Sequence, residues 1–255
     1  MKPRLDSPLP QQTAAATAGP LLRCAAFLML AALCCPAPAM AALDDWQFDV
    51  HASTDRINRG LDQSDGQPSV GIGATWYPGT GVFAGLSASS VKFFDGAPIG
   101  AEFIANAGYI WRWHADWSVQ AMLTHYQFSR EPQSSHFEYD ELALAGAWRD
   151  CLFASVTASP NTAYGPGPRA RAFSYNLGMH LPLPDGFSAI AGIGYYDLSG
   201  GLGTGFTYGD IGVAYQYRAV QFELSYVGTR SPERLATLFG SVLVHRWVAQ
   251  VSWRF

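Results

Sequence analysis

Few residues of this sequence stand at spacings that favour covalent chemistry. His51 and Ser53 are two apart, the start of a base and nucleophile arrangement for acyl transfer. His125 and His136 could hold a metal, but with no cysteine or paired carboxylates beside them they read as solvated loop residues. Residues 200–205 are glycine-rich, yet no helix follows to aim its N-terminus at a phosphate. What remains is a dispersed set of polar groups: Asp49, His51, Asp55, Glu102, Asn106 and Arg112 in the first half, then Glu141, Asn176, His180, Asp210, Glu223 and Arg246. Gathered around a water-filled lumen, charges of both signs would sort solutes by charge and hydrogen bonding.

Such a gathering needs elements that send every second side chain to one place, and the chain supplies that period. Near the C-terminus Leu243, Trp247, Ala249, Val251, Trp253 and Phe255 alternate with Val244, Arg246, Val248, Gln250, Ser252 and Arg254. Phe103, Ala105, Ala107, Tyr109, Trp111 and Trp113 likewise oppose Glu102, Asn106, Arg112 and His114. A period of two with apolar and polar faces is a strand between two solvents. Beyond residue 41 no apolar run is long enough for a spanning helix, so a membrane could be crossed only by a closed barrel.

The pattern predicts twelve strands, near residues 46–57, 67–77, 81–91, 101–114, 117–128, 138–149, 151–159, 171–183, 187–198, 206–217, 219–229 and 240–255. Most match the ~9–11 residues that a tilted strand needs to cross a bilayer. Tight connections (78–80, 115–116, 150, 184–186, 218) alternate with long ones, the asymmetry of outer-membrane barrels with their short periplasmic turns. Trp46, Trp76, Trp111, Trp113, Trp117, Trp148 and Trp253 fall near a tight turn or a terminus, as an interfacial aromatic girdle would; Trp247 does not.

The fold class is therefore all-β, a transmembrane antiparallel up-and-down barrel over residues 42–255. Residues 1–41 read as a cleaved secretory signal peptide, with Lys2, Arg4 and Arg23 before an apolar run and Ala39-Met40-Ala41 at the cleavage point. Its loss removes three of the four cysteines and leaves Cys151 alone, so no internal disulfide forms. The mature chain keeps 13 basic against 19 acidic residues, a net charge of −6 that excludes nucleic acid as a partner.

The run from Ser53 to Pro68, within it Arg59-Gly60-x-x-x-Ser64-x-Gly66-x-Pro68, together with Gly85, Gly194-Tyr195-Tyr196-Asp197 and the terminal aromatic strand, resembles the TorF family of porins. The resemblance covers nearly the whole mature chain and implies an outer-membrane barrel with a pore role. It names no catalytic residue and no cofactor. Trp253 and Phe255 resemble the C-terminal aromatic signal read by the barrel-assembly machinery.

The leading expectation is a channel that passes small polar solutes through outer-membrane lipid, with a modest cation preference from its acidic excess and no metal or cofactor. A closed structural or surface-interaction barrel and a lipid-modifying enzyme stay open beside it. Closure of the first strand on the last should bring Asp55 near Arg246 and Asp49 near Arg254. Arg59, Asp62, Gln63 and Ser64 are expected in the first external loop, either as a structural loop or folded into the mouth to gather solute.

Overall fold

Strands set between hydrocarbon and water can satisfy their backbone groups only sideways, and the computed structural model does so by closing the sheet on itself. It describes residues 45–93, 98–129, 138–162 and 168–255. The signal peptide expected at 1–41 lies outside the described residues.

In chain order the strands are β1 (Trp46–Ser53), β2 (Ile57–Asn58), β3 (Leu61–Asp62), β4 (Ser69–Trp76), β5 (Val82–Val91), β6 (Gly100–His114) and β7 (Trp117–Ser129). They continue as β8 (Tyr139–Trp148), β9 (Leu152–Thr162), β10 (Ala170–Pro182), β11 (Phe187–Asp197), β12 (Gly205–Tyr217), β13 (Val220–Arg230) and β14 (His245–Arg254). Among the described residues two short α-helices, α1 (Ser199–Leu202) and α2 (Glu233–Phe239), sit in the connections. β2 and β3 pair as a two-stranded sheet of their own, with Leu61 also bridging to Leu243, and the other twelve strands form one closed antiparallel barrel sealed by β1 against β14.

The tight turns lie at one end. Between β8 and β9, Arg149 and Asp150 both have positive φ, 51° and 52°, and the Cys151 N–H donates to the Trp148 carbonyl at 3.0 Å. That backbone matches the right-handed twist of the strands it joins. Between β12 and β13 two residues suffice, Arg218 with φ 54° and Ala219.

Outside, the wall is apolar and uncovered: Ile72, Leu86, Ile193 and Ile211 are each more than half exposed. Inside, the alternate positions Ser89, Glu102, Thr124, Glu141 and Ser174 are buried. Water would not leave such a wall bare, because a contiguous apolar patch of this extent drives association, whereas hydrocarbon does. Tryptophans 46, 76, 111, 113 and 117 stand exposed toward the end with the tight turns, and Trp247 packs on Tyr226 (5.5 Å between ring centres) toward the other end.

Two boundaries differ from the sequence reading by four residues or more. The first barrel strand ends at Ser53 rather than residue 57, because Asp55 and Arg56 turn into the lumen to meet charged partners. The last begins at His245 rather than residue 240. After Pro232, the residues from Glu233 to Phe239 form α2 and place Leu235, 1% exposed, against Tyr196, Leu198 and Phe206 in a small core at the long-connection end.

Leu86, facing outward in the middle of β5, tests this wall. Leu86→Arg is expected to lower stability in lipid by about 2–4 kcal/mol, read by equilibrium unfolding from vesicles, with Ser87→Ala on the inner face costing far less. Equal losses at both positions would contradict the assignment of faces.

Candidate functional site

The upper lumen is organised by residues 54–68, and their own polar groups shape them first. The Asp62 carboxylate accepts the backbone N–H of Ser64 and of Gly66, each at 2.8 Å. This is the local bonding by which aspartate favours turns. Ser64 Oγ donates to Asp55 at 2.6 Å and accepts the Arg56 N–H at 2.9 Å. The segment thus folds back as the β2–β3 hairpin, with Arg59 and Gly60 at its tip in positive φ, 51° and 72°. A Cβ at Gly60 would lie 2.6 Å from Tyr208, so glycine is required there for space as well as for conformation.

This hairpin crosses the barrel. Arg56 bonds Glu102 on β6, and Arg59 makes a two-pronged pair with Glu141 on β8 at 2.5 and 2.8 Å. On the far side Thr229 Oγ1 of β13 donates to the Gly60 carbonyl at 2.8 Å, and Leu61 packs on the core around Phe206. Arg246 of β14 donates to Asp55 at 2.7 Å and lies 3.2 Å from Asp62, while Lys92 holds Asp65 at 2.9 Å. β6 and β12 stand six places apart in a ring of twelve, so these contacts tie opposite walls together.

Glu102 is fully buried and Glu141 is 5% exposed. Carboxylates so enclosed persist only with charged partners, and removing one member of such a pair costs about 3–5 kcal/mol. Burial works against the Arg59 charge, but the hydrogen bonds and charge of Glu141 outweigh it and hold the guanidinium pKa above its ordinary value. Arg59 also lies over the Tyr196 ring, 5.1 Å from its centre. Burial pushes the Asp55 carboxyl up, and so does Asp62, against the Ser64 hydrogen bond and the Arg246 charge.

Arg59, Asp62 and Ser64 stand in the first long connection, which folds into the mouth, because their partners lie on or inside the barrel wall. Gln63 belongs to the same fold: its N–H donates to the Arg56 carbonyl at 2.8 Å and its carbonyl accepts the Lys92 N–H at 2.7 Å. The expected seam pair Asp55 and Arg246 is present. Asp49 and Arg254 are opposite each other in the ladder, but the Asp49 carboxylate meets His51 at 3.4 Å instead.

Beneath the hairpin, toward the tight turns, the lumen holds a cavity of about 730 Å³ lined by Arg112, Gln120, Asn176, His180 and Asp210 among others. Its inner limit is Tyr208, whose hydroxyl donates to Asn176; the Asn176 amide donates in turn to Ser155 at 3.3 Å. Glu223 stands on β13 opposite Ala214 of β12. The inner faces of neighbouring strands carry glycines under long polar side chains: Asp49 lies over Gly73, His51 over Gly71, Asn106 over Gly85 and Asp210 over Gly192. Lying flat in this way, the side chains leave the centre of the barrel to solvent.

One arrangement was hidden in the sequence. His51 Nδ1 stands 3.4 Å from Asp49 and its Nε2 3.4 Å from Ser89 on β5, so the serine partner is Ser89 and not Ser53. The connectivity is that of an acyl-transfer triad. Yet Ser89 is 5% exposed, and its surrounding N–H groups belong to the barrel ladder. Oxyanion stabilisation needs donors aimed at the reacting oxygen, and a closed ladder spends them in its own plane.

Arg56, Lys92 and the tyrosines 126, 139, 196 and 208 were missed as site residues. Inner-face parity alone would have found Tyr126, Tyr139, Tyr196 and Tyr208; Arg56 sat inside a predicted strand. Trp253 and Phe255 close the barrel end, their rings tilted at 44° with centres 4.9 Å apart, and Phe255 stacks on Phe48 at 5.9 Å.

Two outcomes follow from this geometry. Glu141→Ala is expected to strand Arg59 and release the hairpin, so that trypsin cuts after Arg56 or Arg59 in folded protein where it spares the parent; equal resistance would contradict the latch. A fluorophosphonate probe is expected to leave Ser89 unlabelled, and labelling lost in Ser89→Ala would reverse that reading.

No curated protein matches the sequence. Among solved structures, the KdgM porin superposes with a TM-score of 0.53 at 9% identity, covering 82% of this chain and 99% of that one. The NanC porin gives 0.54 at 8% identity, covering 80% and 97%. Likeness at this identity is one of fold, a porin-like barrel, and it does not extend to the TorF name. Residues 45–255 match the family described as "Bacterial protein of unknown function (Gcw_chp)", and the chain belongs to that family.

Proposed function

We propose that the chain is an outer-membrane channel for passive diffusion of small polar solutes, with the β2–β3 hairpin setting its cross-section. The observation that carries this reading is the cavity of about 730 Å³ inside a closed barrel, with Arg112, Gln120, Asn176, His180 and Asp210 on its wall. A barrel built only as scaffold would fill its interior with side chains, as small barrels do. Here the inner face carries Gly71, Gly73, Gly85 and Gly192 instead, with polar side chains laid against the wall. The resemblance of residues 53–68 to TorF porins agrees with a pore role, since that segment is the one that crosses the lumen.

In the same reading residues 1–41 direct export, and Trp253 and Phe255 present the terminal signal to the barrel-assembly machinery. The exposed wall meets outer-membrane lipid. The hairpin also favours a second reading, a barrel closed at rest, because its ion pairs span the lumen from β6 and β8 to β14.

Planar-bilayer recording separates these. Purified protein is expected to give stepwise conductance, and replacing residues 56–66 by a short Gly-Ser linker is expected to enlarge each step. Conductance from the shortened chain alone would favour the closed barrel, and silence from both would remove the channel.

A further inference from the structure

On the lumen wall of the cavity, β10, β11 and β12 present a patch of nine positions in three rows. Asn176, Gly194 and Tyr208 form one row, Gly178, Gly192 and Asp210 the next, and His180, Ile190 and Gly212 the third. Four of the nine are glycine. Neighbouring strands lie about 4.8 Å apart, so the patch is a shelf roughly 10 Å across, with Tyr208 lying over Gly194 and Asp210 over Gly192. A Cβ at Gly192 would lie 2.6 Å from Asp210 Oδ1, whereas one at Gly178 would meet nothing nearer than 3.9 Å, so the space over Gly178 stands open beside the carboxylate.

Asp210 is set apart by what it lacks. Asp55, Asp62, Glu102 and Glu141 are each ion-paired with arginine, Asp65 with Lys92 and Asp49 with His51. Among the described residues Asp210 has neither an ion pair nor a hydrogen bond. A carboxylate withdrawn from bulk water carries a desolvation cost that a cationic partner removes. The rest of the shelf offers acceptors. The Asn176 amide N–H is directed to Ser155, and its carbonyl, having accepted from Tyr208, keeps a lone pair. The basic groups of the cavity, Arg112 and His114, stand on β6, six strands from Asp210, and His180 borders the shelf on β10.

We propose that this glycine-floored shelf binds the ammonium group of small aminated solutes, with Asp210, laid over Gly192, as the anionic contact and the open space over Gly178 as the place the group occupies. The site rests on the channel reading and gives it a solute class. Passing amines would pause at Asp210 and leave readily, because the shelf is open to the cavity and the contact is a single charge-assisted one.

The test is the bi-ionic potential of single barrels between ethanolammonium chloride and potassium chloride, with proteoliposome swelling in glycerol as the uncharged comparison of similar size. Ethanolammonium is expected to permeate relative to potassium above the ratio of their free-solution mobilities. Asp210→Asn is expected to lower that preference by about fivefold, the factor that one solvent-accessible charge-assisted contact of ~1 kcal/mol provides. Gly178→Val, which fills the shelf and keeps the charge, is expected to lower it too, with heat-modifiable gel mobility reporting that each variant folds. A conducting barrel without amine preference, or one whose preference survives both substitutions, overturns the site alone. A bilayer silent even in salt overturns the channel and the site together.

Discussion

Everything in this structure follows from the demand that a backbone inside hydrocarbon find all its hydrogen-bond partners within the protein. A sheet meets that demand only by closing, and closure converts the period of two into geometry. Ile72, Ile193 and Ile211 face outward because Gly71, Gly192 and Asp210 must face inward. Once the wall is fixed, the interior inherits every polar group the strands carry, and its chemistry becomes a question of which charges are paired.

The hairpin answers most of that question. It brings Arg56 and Arg59 to Glu102 and Glu141, receives Arg246 on Asp55 and Asp62, and leaves the upper lumen neutralised and crossed. None of these pairs is worth much as net stability, since each charge gives up water to enter. Their effect is positional, because a hairpin with two-residue strands has no core of its own. Below it the pattern changes: glycines hold the space open, and Asp210 is left without an ion pair.

The wall was legible in the sequence because side-chain parity is written at every step. Twelve strands, tight turns alternating with long connections, and the Asp55 and Arg246 seam all emerged from it. Parity says which face a residue takes, but it does not say which long connection turns inward. Residues 59–68, with Gly60, Gly66 and Pro68, carry the composition of any polar loop, so the sequence left a structural loop and an inward course of Arg59, Asp62 and Ser64 equally open. The helix from Glu233 to Phe239 was hidden for a related reason, since its burial of Leu235 depends on Phe206 and Tyr196, brought near only by closure. The Ser89 partner of His51 lay across two strands and could be seen only through register.

The most direct check of the wall itself is collisional accessibility along β10. With Cys151 replaced by serine, single cysteines from residue 176 to 181 would carry spin labels, and relaxation by oxygen and by a water-soluble nickel complex would be compared in lipid vesicles. Labels at 177, 179 and 181 should favour oxygen and those at 176, 178 and 180 nickel. A profile without alternation, or with the two phases exchanged, would contradict a barrel with hydrocarbon outside and water within.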